Sequence, residues 1–291
     1  MKENILVTGS NGQLGRELQL LQSLIPNYNL LFFDSKLWNI TDDNRSHELF
    51  SLYKPKVLIN CAAYTAVDLA ESQVELAYAI NSNAVNSLAQ ICADTNTLLI
   101  HISTDYVFHG NSAEALKEDS PKNPQGIYAK SKSKGEDYII ASKAKYMIIR
   151  TSWVYSQFGS NFVKTMLKLA ETKTELSVVN DQLGCPTHAA SIARFLTYLL
   201  THFTLEELYS KTGIYHYSDA NPTNWNAFAK KIFELTNRDI RVNAISTTAF
   251  NAKANRPLFS VLNTEKVKKT FEYTIDDWEV ELKKCLALLN E

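Results

Sequence analysis

The chain reads as an α/β protein: a doubly wound parallel sheet with a smaller mixed α/β lobe. Three observations predict this. Short apolar runs alternate with helix-like stretches through the first half, as in a parallel sheet covered by helices on both faces. The first apolar run feeds directly into a glycine-spaced loop that opens a helix. Residues able to do chemistry follow the ends of several strands, where ligands bind in sheets of this kind. The regular alternation ends near residue 155, so residues 1–155 form the first unit and 156–291 mainly the second lobe. No linker separates them, and the two are expected to interleave around a shared cleft.

Asn4–Thr8 is the first strand and Arg16–Leu21 begins the first helix. Between them lies Gly9-Ser10-Asn11-Gly12-Gln13-Leu14-Gly15. A strand, a glycine loop and a helix in this order form a dinucleotide-binding context, here with G-x-x-G-x-x-G spacing. The first glycine permits a tight turn, the second lets backbone approach a pyrophosphate, and the third lets helix pack closely on strand. The unpaired N–H groups at the helix start then receive phosphate. Asn29–Phe33 is the second strand, closed by Asp34, about 20 residues after the loop, where an acid meets the adenosine ribose hydroxyls. The acid favours NADH by repelling a 2′-phosphate, and nearby Lys36 softens that preference. The sequence leaves NADH against NADPH open. The fold is therefore expected to be Rossmann-type.

Val57–Cys61 and Thr97–Ile102 are the next strands, separated by a helical period over 71–94. His109–Gln125 is polar, contains Pro121 and Pro124, and reads as a loop. Tyr128 and Lys132 follow, four residues apart and so on one face of the next helix. A phenol beside an ammonium is a proton donor for a carbonyl, and the expectation is that Lys132 lowers the phenol pKa toward neutrality. Thr104 follows the fourth strand, with its hydroxyl placed to bond a substrate carbonyl oxygen. Tyr146–Arg150 is a further strand. Beyond it, helices are expected near Phe162–Glu171, Ala189–Thr201, Trp225–Thr236 and Asp276–Leu289, with Ile214–Tyr217 a short strand of the smaller lobe.

Bulk properties narrow the function. Composition is 45% hydrophobic and 21% charged, ordinary for a globular protein. Lys+Arg at 30 against Asp+Glu at 31 gives a net charge of -1, which offers nothing to nucleic acid or an anionic membrane. No apolar run has the length of a membrane span. The first strand starts almost at Met1, so no signal peptide is expected. Cys61, Cys92, Cys185 and Cys285 are scattered, and are read as reduced thiols in a cytoplasmic protein. The six histidines form no ligand pair, so no structural metal is expected.

Together the glycine loop, Ser103-Thr104-Asp105 and Tyr128-x-x-x-Lys132 resemble the extended short-chain dehydrogenase/reductases. Longer segments resemble the dTDP-4-dehydrorhamnose reductase family: Ala62-Ala63-Tyr64-Thr65-Ala66-Val67-Asp68, Ser103–Phe108, Arg150-Thr151-Ser152-Trp153-Val154-Tyr155, Asn180-Asp181-Gln182 with Pro186-Thr187, and Leu262–Lys266. They cover nearly the whole chain. The resemblance implies reduction of the C4 ketone of a dTDP-linked 6-deoxyhexulose by NADPH or NADH. It assigns catalysis to Thr104, Tyr128 and Lys132. Cofactor binding falls to Gly9, Asn11, Gly12, Gln13, Leu14, Gly15, Asp34, Asn39, Ile40, Ala62, Ala63, Tyr64 and Thr65, with Tyr128 and Lys132. Substrate binding falls to Val67, Asp105 and Trp153, with Thr104 and Tyr128.

There are departures. Ala129 replaces the family's usual Gly after the tyrosine, and Leu69 its usual Lys. Some members hold magnesium at a homodimer interface through glutamates. Glu17 could match one, but Ala190 stands near another, so magnesium and that dimer stay open. Rival readings are a ketoreductase of another dTDP or UDP sugar, a 4-epimerase, and a 4,6-dehydratase, for which Tyr106 stands where the basic Glu should be. A rival from another class is a non-catalytic regulatory subunit of a methionine adenosyltransferase.

Overall fold

The computed structural model describes residues 2–109 and 114–289; part of the predicted loop, residues 110–113, lies outside the described residues. In chain order the elements are β1 (Glu3–Thr8), α1 (Gln13–Leu21), β2 (Tyr28–Phe33), α2 (Asp43–Tyr53), β3 (Val57–Asn60), α3 (Val67–Ala70), α4 (Val74–Tyr78), α5 (Ala84–Asp94), β4 (Leu98–Thr104), α6 (Gly126–Ala141) and β5 (Tyr146–Thr151). Then come β6 (Val154–Tyr155), α7 (Phe162–Leu169), β7 (Glu175–Val179), β8 (Leu183–Gly184), β9 (Thr187–His188), α8 (Ala189–His202), α9 (Leu205–Ser210), β10 (Gly213–His216), β11 (Thr223–Asn224), α10 (Trp225–Leu235), β12 (Arg241–Ile245), α11 (Thr247–Phe250), α12 (Glu265–Phe271) and α13 (Trp278–Leu289).

Six strands form one parallel sheet in the order β10-β5-β4-β3-β1-β2. Alternation along each strand sends residues to opposite faces. Ile5, Val7, Ile59, Ile100 and Ile149 pack beneath α1 and α8, in one core with Leu14, Leu18, Ile192 and Phe195. Leu6, Leu58, Leu99 and Ile148 pack beneath α2, α5 and α6, in a second core with Phe50, Leu88 and Ile139. Both faces are covered, so the strands read as continuous apolar runs. A third core of Tyr155, Val163, Phe228, Ile232, Trp278 and Leu282 holds the smaller lobe.

The chain leaves β1 toward β2 and returns to β3 on β1's other side. This reversal opens a crevice beyond the carboxyl ends of β1 and β3. Gly9 makes the turn there, with φ +66°. A Cβ on it would come within 2.7 Å of the Ala62 backbone nitrogen.

Two expectations need correction. The sequence places Ile214–Tyr217 in the smaller lobe, but β10 joins the main sheet, pairing parallel to Met147–Arg150. Its alternation explains this: Ile214 packs into one main core and Tyr215 into the other. The expected helix over 71–94 begins at Val74 and is broken by a π turn at Ala79–Asn83. That turn presents Asn81, whose side chain accepts from Tyr64 N at 2.9 Å and donates to Tyr64 O at 3.0 Å. It also donates to Ser131 Oγ on α6 at 3.2 Å. The loop after β3 is thereby clamped to the helix carrying Tyr128.

Helix α6 packs so closely on this turn that a Cβ on Gly135 would overlap the Asn81 carbonyl oxygen. In a free helix Gly→Ala gains about 1 kcal/mol. Here overpacking against backbone should cost about 1–3 kcal/mol and win. Gly135→Ala is expected to lower the urea midpoint; a raised midpoint would show that α6 has room to move.

Candidate active site

A cleft of about 760 Å³ opens at the carboxyl ends of β1 to β5. One wall, on the side of the glycine loop, is Gly9, Asn11, Gly12, Gln13, Leu14, Asp34, Asn39, Ile40, Ala62, Ala63 and Thr65. Its other wall brings in Val67, Thr104, Asp105, Tyr128, Lys132 and Trp153. Two predicted residues stand elsewhere. Gly15 lies beneath the loop, where a Cβ would overlap the Gly9 carbonyl, so it serves the packing of helix on strand. Tyr64 does not line the cleft, and its hydroxyl donates to Gln73 Oε1 at 2.8 Å. Its clamped backbone shapes the loop while its ring points away.

The glycine-loop side suits an anion next to a diol. Gly12 caps α1 without a side chain, leaving the helix-start N–H groups and the positive end of the dipole facing the cleft. Asp34 is pinned: Oδ1 accepts from Lys36 N and Leu37 N, each at 3.0 Å, and Oδ2 accepts from Asn11 Nδ2 at 2.7 Å. A carboxylate so held can still accept from hydroxyls, since each oxygen has two lone pairs.

On the other side, helix α6 presents Tyr128, Lys132 and Glu136 at one-turn spacing. Glu136 is fully buried. Arg150 of β5 grips it with both arms, Nε to Oε1 at 2.9 Å and Nη2 to Oε2 at 2.8 Å, and Ser103 Oγ of β4 donates to Oε1 at 2.6 Å. Such bidentate, charge-assisted bonds are the strong and directional ones. They fix the helix's rotation, and with it the direction of Tyr128 and Lys132.

Lys132 Nζ donates to Ile102 O at 2.7 Å and lies 3.1 Å from His101 Nε2. Burial pushes its ammonium down to about 8, against the pull of Glu136 and the Cys61 thiol. Burial also drives the His101 imidazole well below its ordinary value, so the ring is neutral. Tyr128 goes the other way from the sequence expectation. Burial pushes its phenol up to about 12, partly offset by a hydrogen bond with Thr104 and reinforced by Asp105. Lys132 does not lower it, because the ammonium is turned onto the Ile102 carbonyl. The phenol therefore stays protonated across the neutral range.

Thr104 Oγ1 donates to Asp105 Oδ1 at 3.1 Å and accepts from Tyr106 N at 3.2 Å. Tyr106 packs edge-on against Tyr128, with ring centroids 5.5 Å apart. Trp153 adopts φ +47° and stacks on Trp225 at 3.6 Å. A Cβ on Gly184 would come within 2.6 Å of the Trp153 ring. Trp153 is thus both cleft wall and packed residue.

The chain matches the family model described as RmlD substrate binding domain over residues 1–291. It belongs to that family. It is 38% identical over 290 residues to dTDP-4-dehydrorhamnose reductase of Aggregatibacter actinomycetemcomitans, covering 97% of this chain and 98% of that protein. It is 39% identical over 267 residues to the spore coat polysaccharide biosynthesis protein SpsK of Bacillus subtilis, covering 91% and 90%. Its structure superposes with a TM-score of 0.92 on a Bacillus anthracis dTDP-4-dehydrorhamnose reductase crystallised in complex with NADP, at 38% identity, covering 99% of this chain and all of that one.

Where the chain departs from the family pattern, Ala129 is buried and Leu69 is 54% exposed. Glu17, the residue open to a magnesium role, is also buried. Ser156 Oγ donates to its Oε1 at 2.6 Å, and His188 Nε2 lies 3.8 Å from that oxygen. Among the described residues no group of three or more His, Cys, Asp or Glu is arranged to hold a metal.

Several lining residues escaped sequence reasoning. Ser35 and Trp38 follow directly from Asp34 and could have been read with it. Thr151 and Val154 lie inside the quoted Arg150–Tyr155 segment. Gly159, Ser160 and Ile80 carried no signal. Outside the lining, Arg256 pairs with Asp68 at 2.6 Å from 188 residues away, and nothing in the sequence marks it.

Asp105 is 1% exposed, and burial pushes its carboxyl up to about 7 against hydrogen bonds from Ser260 and Thr104. Its folded value lies above its unfolded one, so the folded state holds the proton more tightly. Stability falls as pH rises from the unfolded value through about 7. Wild type should therefore lose stability relative to Asp105→Asn between about pH 5 and about pH 8, read by thermal unfolding. A constant difference would mean Asp105 is already ionised at the lower pH.

Proposed function

We propose that this chain reduces the C4 ketone of dTDP-4-dehydro-L-rhamnose to dTDP-L-rhamnose, using NADPH or NADH. One observation carries the reading: Tyr128, Lys132 and Thr104 line the same cleft as the glycine loop and Asp34. The names of its relatives support the substrate.

The residues fit a nicotinamide dinucleotide. The start of α1 would take the pyrophosphate, Asp34 with Asn11 the adenosine ribose, and Lys132 the nicotinamide ribose. When bound, the reduced nicotinamide supplies hydride to C4. Tyr128 donates its proton to the ketone oxygen as charge develops there. An alkoxide is a stronger base than a phenolate, so a phenol at about 12 still gives up its proton downhill. Thr104 would bond the same oxygen by turning its one hydroxyl proton from Asp105 Oδ1 to the ketone, and so hold it in line. Asp105, Val67 and Trp153 border the sugar. The reading needs neither magnesium nor a glutamate-bridged homodimer, and Glu17 is buried and bonded by Ser156. The four cysteines are free thiols, and the cytoplasm is the proposed compartment. Among the described residues no helix is long and apolar enough to cross a membrane.

A 4,6-dehydratase is disfavoured. Its base would stand where Tyr106 is, and that ring is packed against Tyr128. A purely regulatory subunit would not need a buried Lys132 and a protonated Tyr128 beside Thr104.

The assay is incubation with dTDP-4-dehydro-L-rhamnose and each cofactor, with the sugar identified by NMR. Tyr128→Phe should fold and bind cofactor, yet lose about 10²–10⁴-fold in kcat. Near-normal turnover would refute the assignment. Asp34→Ala should raise the preference for NADPH over NADH, since it removes the charge that repels a 2′-phosphate. An unchanged ratio would place the ribose elsewhere.

A further inference from the structure

One register row of the central sheet is polar. Thr8 on β1 pairs with Asn60 on β3, and Asn60 with His101 on β4. One residue earlier the corresponding row is Val7, Ile59 and Ile100. Thr8, Asn60 and His101 are each at most 1% exposed. Burying three polar side chains costs stability unless every one is bonded. Here they bond in sequence. Thr8 Oγ1 donates to Asn60 Oδ1 at 2.7 Å, the Asn60 amide lies 3.1 Å from His101 Nδ1, and His101 Nε2 lies 3.1 Å from Lys132 Nζ.

For the sheet alone, an apolar row would serve as well. Beyond itself, the polar row reaches two parts of the cleft. Ala62 N–H donates to Asn60 Oδ1 at 3.2 Å and to Thr8 Oγ1 at 3.3 Å, fixing the loop after β3. The other end meets Lys132. A four-carbon side chain has many rotamers, and one carbonyl contact defines only a single direction for its head group. The second contact, from a ring that cannot swing, defines the rest.

We propose that His101 is a positioning residue for Lys132. The row Thr8–Asn60–His101 holds the imidazole, and the imidazole holds Nζ where it faces the nicotinamide ribose. This rests on the reading of Lys132 given above. A neutral ring has one accepting and one donating nitrogen: Asn60 Oδ1 already accepts from Thr8 and Ala62, so the Asn60 amide donates to Nδ1, and Nε2–H donates to the Lys132 nitrogen in its amine form, which burial makes accessible near pH 8. The other ionisable groups near Nζ are Cys61 from the end of β3 and, on α6 itself, Glu136. Glu136 is already gripped by Arg150.

The test is a double-mutant cycle on NADPH affinity and kcat, using His101→Phe, Lys132→Met and the pair. In the wild-type background His101→Phe should lower kcat about 10- to 100-fold, as expected for a displaced catalytic group, with weaker NADPH binding and little change in KM for the sugar. His101→Gln, whose amide can reach Nζ, should recover most of the loss. In the Lys132→Met background His101→Phe should have no further effect. Full turnover in a folded His101→Phe variant, or equal losses in both backgrounds, overturns the proposal. Should that variant fail to fold, Thr8→Val at the far end of the row is read the same way: an effect confined to the Lys132 background supports the proposal, and no effect or an additive one overturns it. If Lys132→Met itself retains full activity and affinity, the parent reading fails instead.

Discussion

Glu136, a single buried carboxylate, decides where helix α6 can sit. It is held by Arg150 from β5 and Ser103 from β4, so three elements meet on one group. Lys122 Nζ also lies 3.5 Å from Glu136 Oε2, so removing Arg150 would leave the buried carboxylate one partly exposed cation, at a cost of up to about 3–5 kcal/mol. The helix therefore has one rotation and one height. Glu136, Lys132 and Tyr128 lie at one-turn spacing, so fixing the first aims the other two at the cleft. On its outer side α6 meets the π turn, with no space between Gly135 and the Asn81 carbonyl. Asn81 in turn clamps the Tyr64 backbone, which carries the constraint to the cleft's far wall.

The electrostatics follow from that burial. The cleft floor keeps ionisable groups out of water and shifts each toward its neutral form: Asp105 and Tyr128 upward, Lys132 and His101 downward. A protonated phenol, a threonine hydroxyl and an adjacent ammonium or amine suit a site that receives a ketone oxygen and must supply one proton. In a low-dielectric pocket, bonds to a developing alkoxide are worth more than in water. The polar row beneath Lys132 belongs to the same scheme, because a head group that must be exact needs more than one tether.

Much of this was legible in the sequence where local rules decide the outcome. A strand, a glycine loop and a helix can fold in few ways, and Asp34 follows at a fixed remove. Tyr128 and Lys132 share a face because a helix repeats every 3.6 residues. Where neighbours come from elsewhere in the chain, sequence reasoning fails. It sets Lys132 beside Tyr128, but the Ile102 carbonyl and His101 that hold the Lys132 nitrogen belong to another strand, so the expected drop in the phenol's pKa is reversed. It reads Tyr64 with its motif, yet a distant amide orients that ring away from the cleft. It gives β10 to the smaller lobe because the strand comes late in the chain, whereas its two apolar faces suit the interior of the large sheet. Arg256 reaches Asp68 from the opposite lobe, and nothing local marks it.

The central claim is geometric: the fixed face of α6 meets the reacting carbonyl beside the nicotinamide. A crystal structure of the ternary complex with NADP+ and dTDP-L-rhamnose tests it most directly. The Tyr128 hydroxyl is expected within about 3 Å of the sugar's O4, with Lys132 Nζ at the same hydrogen-bonding reach of the nicotinamide ribose. A nicotinamide ring lying away from Tyr128, or a sugar whose O4 faces neither Tyr128 nor Thr104, would contradict it.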